Sequence, residues 1–446
     1  MEAGEPGRVR RPSRISVVIA LVCAVVTLSA AASLGAGWAA TGRPGTGGGG
    51  QRPAATQQTQ AGTQTSAAGS PAGQLDPSPL TLRQTVPAAF TVPGSGPALA
   101  WPGGGQAAME VAGLGLLGSS GPADSPAPIA SIAKTMTAYL IVQDHPLAAG
   151  QNGPMITITA ADWTTYLQEK GSGDSLAPVT LGERLSEREA LYALMLSSAD
   201  NMAPVLARWD SGTVGAFLAR MNAQAAALGM AHTTFTDPSG LAASTTSTAE
   251  DLLKLGQAAI QLADFRQIVG TPQAVVPVAG ELHNYNQLLG TDGIIGIKTG
   301  STDAAGSCLL FAASVMVGGQ TETIVGAVLG QRLGGSGAAI LSPALTAARE
   351  LIIEAEAVLI TAQVAAPGAT LATIDQGGVP TGALTVAEPL TVVGWPGLVL
   401  RVTVTGGLAA PSVSVTGAAG SAPIATELLQ RGRPGALRFR AAPLTP

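Results

Sequence analysis

Aromatic residues make up only 3% of this chain and charged residues 11%, and the few charges lean acidic: 28 Asp and Glu against 23 Lys and Arg leave a net charge of -5. Without a basic surface or stacking aromatics it lacks both the phosphate contacts and the platforms of a nucleic-acid reader, so no nucleic-acid partner is expected. Cys23 and Cys308 are its only cysteines, which excludes a disulfide framework and a cysteine-built zinc site. The three histidines, His145, His232 and His283, have no metal-ligand spacing, and no metal site is expected. Lysine is scarce as well, yet of the four present, Lys134, Lys170, Lys254 and Lys298, two fall inside motifs that carry chemistry. What is plentiful is hydrophobic sequence, 46% of 446 residues, enough to bury two cores.

The chain divides by composition. Residues 1–14 end in a basic run, RVRRPSR, and residues 15–40 carry no charge, long enough to span a bilayer as a helix with the basic flank left in the cytoplasm. Length favours an uncleaved anchor; a cleaved signal peptide is the competing reading, since Ala30, Ala31 and Ala32 supply small residues. On either reading the rest is exported to the cell envelope. Residues 41–98, rich in Gly, Pro, Gln and Thr, hold too little bulky apolar side chain to offset the entropy of ordering, and are expected to form a disordered linker.

From residue 99 to 362 short strands alternate with capped helices. A strand or hairpin is expected over 106–117 and a buried helix over 129–142. Capping boxes at Ser186/Glu189 and Ser247/Glu250 start two more helices, and Gly229 closes one running from about Val214. Adjacent strands are expected over 308–317 and 321–330 around a Gly-Gly turn, then a helix opened by Ser342-Pro343. The outline is α+β, with strands at both ends of the domain and helices between. Residues 367–446, rich in Val, Thr, Gly and Pro, describe a small all-β domain.

Three short motifs carry candidate chemistry. Ser131 and Lys134 stand three residues apart at the start of the buried helix, on one face, where a desolvated amine can take the hydroxyl proton. Ser198-Ala199-Asp200-Asn201 lies between two helices, and its plain alternative is an N-cap. Lys298-Thr299-Gly300 precedes the strand with Cys308 and offers an ammonium, a hydroxyl and a position without side chain, suited to an extended peptide bearing a carboxylate.

The order SxxK, a Ser-x-Asn-like loop and KTG resembles the penicillin-binding proteins and serine β-lactamases. PIASIAKTMTAYLIV, LGMAHTTFTDPSGL, STAEDLLKL and LHNYNQLLGTDGIIGIKTGST look like the low-molecular-mass D-alanyl-D-alanine carboxypeptidases across most of residues 100–360. The resemblance implies an antiparallel five-stranded sheet flanked by helices with an inserted helical subdomain. It implies that Ser131 attacks the terminal D-Ala-D-Ala bond of a peptidoglycan stem peptide and that Lys134 takes its proton. Ser198 would relay a proton to the leaving D-alanine, Lys298 and Thr299 would hold its carboxylate beside Gly300, and the backbone N–H groups of Ser131 and Ser301 would form the oxyanion hole. Water would then release the acyl-enzyme without metal or organic cofactor, and β-lactams would act as inhibitors.

One position departs from that pattern. The middle motif usually carries Asn where Asp200 stands, and an ionised carboxylate accepts without donating. Flanked by two lysines, Asp200 is expected to ionise readily and to keep Lys134 charged; alternatively, Asn201 swings into the role. Two other functions share the motifs. One is a serine β-lactamase, although no segment resembles the loop that supplies the deacylating Glu in the class A enzymes. The other is a catalytically weak penicillin-binding or envelope-binding protein whose β-domain supplies the function.

Overall fold

The computed structural model describes residues 78–332, 340–417 and 423–432. Expectations for residues 1–14, 15–40 and 41–77 therefore lie outside the described residues, and no helix among the described residues is long and apolar enough to cross a membrane.

The centre is a five-stranded, fully antiparallel sheet in the order Ile294–Thr302, Gly306–Val317, Gln320–Gln331, Gln106–Val111, Gly115–Ser120. The long hairpin turns at Gly318-Gly319, both at positive φ, which glycine adopts without steric cost. Both faces of the strand Gly306–Val317 are covered, and its alternate residues serve different cores. Leu309, Phe311, Ala313 and Val315 pack with Ala348, Leu351 and Ile352 of the helix Ser342–Val358. Cys308, Leu310 and Ala312 face the other way, into a core with Ile132, Met136, Leu252 and Leu255.

Between the second and third strands of the chain's passage through this sheet lie the helices. A single turn of 3₁₀ helix, Ala130–Ala133, leads into the helix Lys134–Asp144, whose residues are buried from Lys134 through Val142. The expected helix over 129–142 thus begins one turn late as an α-helix. The helix Glu187–Met195 starts on the expected Ser186/Glu189 capping box, and Val214–Ala227 ends before Gly229 at φ 73°. The helix Ala249–Gln261 is capped by Thr248, not by Ser247. Ser247 is already engaged: it pairs in a two-residue strand with Ala127 and its hydroxyl shares a 2.7 Å bond with Thr233 Oγ1. Glu250 instead accepts from Ser119 Oγ at 2.7 Å.

The C-terminal region is all β. Two four-stranded sheets and a two-stranded one, Ile360–Ala365 with Leu390–Gly394, form it; the first four-stranded sheet holds Leu80–Gln84, Thr370–Gln376, Val379–Thr385 and Gln430–Gly432, the second Ala89–Thr91, Val399–Thr405, Ser412–Thr416 and Pro423–Leu428. Each four-stranded sheet includes a strand from the segment expected to be linker up to residue 98. That expectation is corrected for residues 80–84 and 89–91. Low bulk misled because these strands draw their partners from the far end of the chain, with Leu82 opposite Ile374 and Phe90 opposite Leu400, and propensity is overridden by such pairing.

Candidate active site

Lys134 is wholly buried at the first turn of its helix, and its Nζ meets three oxygens: Ser131 Oγ at 2.9 Å, Asp200 Oδ1 at 2.5 Å and the Ser239 carbonyl at 2.8 Å. The 3₁₀ turn sets the first of these contacts by carrying Ser131 one tight turn ahead of Lys134. Burial lowers the Lys134 ammonium from the usual lysine range, opposed chiefly by Asp200. The shift is toward the free amine that a base requires.

Asp200 is held at both oxygens. Oδ1 accepts from Lys134, Oδ2 accepts from the backbone N–H of Ser175 at 3.2 Å, and its own N–H donates to the Ser175 carbonyl at 2.7 Å. Burial pushes its carboxyl up while Lys134 pulls it down, so it ionises less readily than two neighbouring lysines alone would make it. That corrects the expectation of ready ionisation, which had no account of desolvation. Asn201 turns elsewhere: its carboxamide accepts from Ala177 N at 3.0 Å and donates to Ala177 O at 2.9 Å, which removes it as a substitute for Asp200. Nor does the loop act as a side-chain cap, because the helix Met202–Ser211 has no side-chain cap bond at Asn201. Ser198, two residues earlier, is buried with a φ of 61°, a left-handed backbone uncommon for serine and of the kind that clusters at functional sites.

The third motif runs along the edge strand of the sheet, with Lys298 opposite Leu310, Thr299 opposite Leu309, Gly300 opposite Cys308 and Ser301 opposite Ser307. Lys298 and Gly300 share one face by strand alternation. A Cβ at Gly300 would lie 2.9 Å from the backbone N of Ser131 and 3.1 Å from that of Ile132, so the strand can lie against the start of the helix only with glycine there. Lys298 is buried, and its ammonium is lowered well below the ordinary lysine range by burial first and by Lys134 second, with Asp200 opposing. The structure thus brings Ser131, Lys134, Asp200, Lys298 and Gly300 together from three separate stretches of chain, with Thr299 and Ser301 on the same strand. The groups that sequence reasoning missed are main-chain ones, the Ser239 carbonyl and the Ser175 peptide. The available signal was Asp237-Pro238-Ser239-Gly240, a turn-forming run inside one of the quoted segments.

An antiparallel sheet with a helical region inserted ahead of its third strand, and a Ser-Lys pair where that region meets the edge strand, define a penicillin-binding type of fold. A solved peptidoglycan synthesis regulatory factor from Streptococcus pneumoniae shares it, at TM-score 0.57 and 18% identity over 73% of this chain and 97% of that one. The D-alanyl-D-alanine carboxypeptidase family matches residues 116–331. The chain is 32% identical over 224 residues to the D-alanyl-D-alanine carboxypeptidase of Streptomyces sp. (strain K15), covering 46% of this chain and 74% of that protein. It belongs to the D-alanyl-D-alanine carboxypeptidase family. It is also 32% identical over 195 residues to a D-alanyl-D-alanine endopeptidase of Pseudomonas aeruginosa, covering 42% of this chain and 60% of that protein, so it spans about three-fifths of the length of that curated relative.

Proposed function

We propose that the protein is a serine D,D-carboxypeptidase that removes the terminal D-alanine from peptidoglycan pentapeptide stems and is inhibited by penicillins. The observation that carries this reading is the buried Lys134 Nζ at 2.9 Å from Ser131 Oγ, beneath a strand whose Gly300 lies against the Ser131 main chain. In the forward step Ser131 Oγ attacks the carbonyl of the D-Ala-D-Ala bond while Lys134 takes the hydroxyl proton. The N–H groups of Ser131 and Ser301 receive the developing oxyanion, where fixed donors stabilise charge without reorganisation. Ser198 passes a proton to the departing amine, and Lys298 with Thr299 holds the carboxylate of the leaving D-alanine. Water then cleaves the ester, regenerating Ser131 and releasing the shortened stem. Residues 15–40 hold the enzyme to the cell membrane with the peptidase in the envelope, where stem peptides are within reach.

The test exposes the full chain, with Ser131→Ala beside it, to a fluorescent penicillin and to a D-Ala-D-Ala-terminated peptide. Ser131-dependent labelling together with release of D-alanine is expected. A folded wild-type protein that gives neither signal would overturn the reading, and rapid multiple turnover of a chromogenic β-lactam would replace it with a β-lactamase.

A further inference from the structure

Of the three oxygens around Lys134 Nζ, the Ser239 carbonyl is the only one supplied by main chain. Its position is therefore set by the turn that carries it. Asp237 fills that turn: Oδ2 accepts from the backbone N–H groups of Ser239 at 3.2 Å, Gly240 at 2.7 Å and Leu241 at 3.0 Å, and from Ser239 Oγ at 2.6 Å. Its second oxygen, Oδ1, accepts from Thr245 Oγ1 at 2.5 Å. Successive N–H groups converging on one carboxylate make a charge-assisted cradle that holds the main chain in a single shape.

The same turn grips the helix Lys134–Asp144 and the 3₁₀ turn ahead of it at three points. Ser239 O takes the Lys134 bond, Pro238 O accepts from Thr137 Oγ1 at 2.8 Å, and Gly240, at φ 88°, lies so close that a Cβ there would sit 1.8 Å from Ala130 O. A neutral lysine amine has two N–H bonds and one lone pair. Asp200 and Ser239 can accept the two N–H bonds, which leaves the lone pair for the Ser131 hydroxyl.

We propose that Asp237 is a positioning residue for Lys134: it fixes the Ser239 carbonyl, and through it the direction in which the Lys134 amine faces Ser131. The inference rests on the reading of Ser131 and Lys134 as nucleophile and base. Lys134 is faced by Asp200 in direct contact, by Asp237 and Asp174, and by Lys298 from the edge strand. Asp237 raises the Lys134 ammonium, so removing its charge lets Lys134 give up its proton at lower pH.

Two variants of the full chain separate shape from charge. Asp237→Asn keeps an oxygen for the N–H cradle and removes the charge; the acid limb of Ser131 acylation by a fluorescent penicillin is expected to move to lower pH by about 0.5 unit or more. Asp237→Ala empties the cradle, and the acylation rate is expected to fall roughly tenfold or more across the pH range, as catalytic misplacement does. In parallel, the ¹³Cε resonance of Lys134, assigned with Lys134→Arg, is titrated in all forms. Wild-type acylation rates in both variants, with Lys134 titrating as in the wild type, would overturn the proposal even if thermal stability fell. Should the wild type label no penicillin, the proposed function fails on its own; the Lys134 titration still decides the role of Asp237, and an unmoved resonance in both variants rejects it.

Discussion

Lys134 and Asp200 meet at 2.5 Å in the interior, and the carboxylate that receives the lysine is itself braced by the N–H of Ser175 at its other oxygen. Both oxygens therefore act as acceptors. An asparagine at this position would have to present its NH₂ to one of two donors, so the aspartate suits this particular loop.

For that reason Asp200→Asn is expected to weaken the site rather than improve it. Losing one of the two bonds at a buried position costs about 1–3 kcal/mol, read as a shift in the urea midpoint. Loss of the charge that raises Lys134 also moves the acid limb of acylation to lower pH. Unchanged stability and an unmoved pH profile would sink this account of Asp200.

Gly300→Ala tests the close approach of the edge strand. The new Cβ would meet two backbone nitrogens at 2.9 Å and 3.1 Å, so the strand must move away from Ser131. Acylation by penicillin is expected to drop at least about tenfold while the thermal transition stays cooperative, because misplacement of this size is costly for catalysis. A rate within twofold of wild type would show that the strand has slack.

Glu187 gives the fold a pH dependence separate from the active site. It is fully buried at the start of its helix, neither carboxyl oxygen has a hydrogen-bond partner, and burial, with Asp264 adding, raises its pKa to about 7. An unfolded glutamate titrates near about 4.3, so between about pH 4.3 and 7 the native state holds a proton that the unfolded state has released. Stability from this group is complete below that window and is lost as pH rises through it. Glu187→Gln is expected to flatten the slope and to be more stable than wild type at pH 8 by roughly 1–3 kcal/mol, measured by urea unfolding at several pH values. A parallel slope in the variant would assign the dependence elsewhere.

A truncated chain beginning at residue 99 loses Leu80–Gln84 and Ala89–Thr91, one strand from each four-stranded sheet of the C-terminal region. Compared with a chain beginning at residue 78, it is expected to show a lower thermal midpoint and faster proteolysis within residues 360–432, with the five-stranded-sheet region cut later. Equal midpoints would mean that the two strands add nothing to these sheets.

How much of this was legible in the sequence follows the range of the interactions. Local signals held: the Ser186/Glu189 cap, the Gly-Gly hairpin turn and the helix end at Gly229 each depend on residues a few positions apart. Ser131 with Lys134 was legible for the same reason, as spacing on one turn. Signals failed where a distant partner decides. Ser247 was lost as a cap to Thr233, Asp200 owes its resistance to ionisation to burial, and the strand at 80–84 finds its partner at 372–376. Asn201 looked like a possible stand-in for Asp200, and only the fold reveals that its amide is committed to Ala177.

The strand Leu80–Gln84 also decides how the five-stranded-sheet region is mounted. Thr81 reaches Asp375 across 294 positions of chain, and between them lies the whole catalytic sheet with its helices. The region of the five-stranded sheet is accordingly an insertion between strands of the C-terminal sheets and is joined to them at both of its ends. A module hung on one strand of chain can swivel about it; a module fastened twice loses that freedom. The order of assembly follows as well: the hairpin Gly306–Val317 with Gln320–Gln331 closes locally, whereas Leu80–Gln84 must wait for strands made much later. Among the described residues, the C-terminal sheets are thus the last that can complete their pairing as the chain is made.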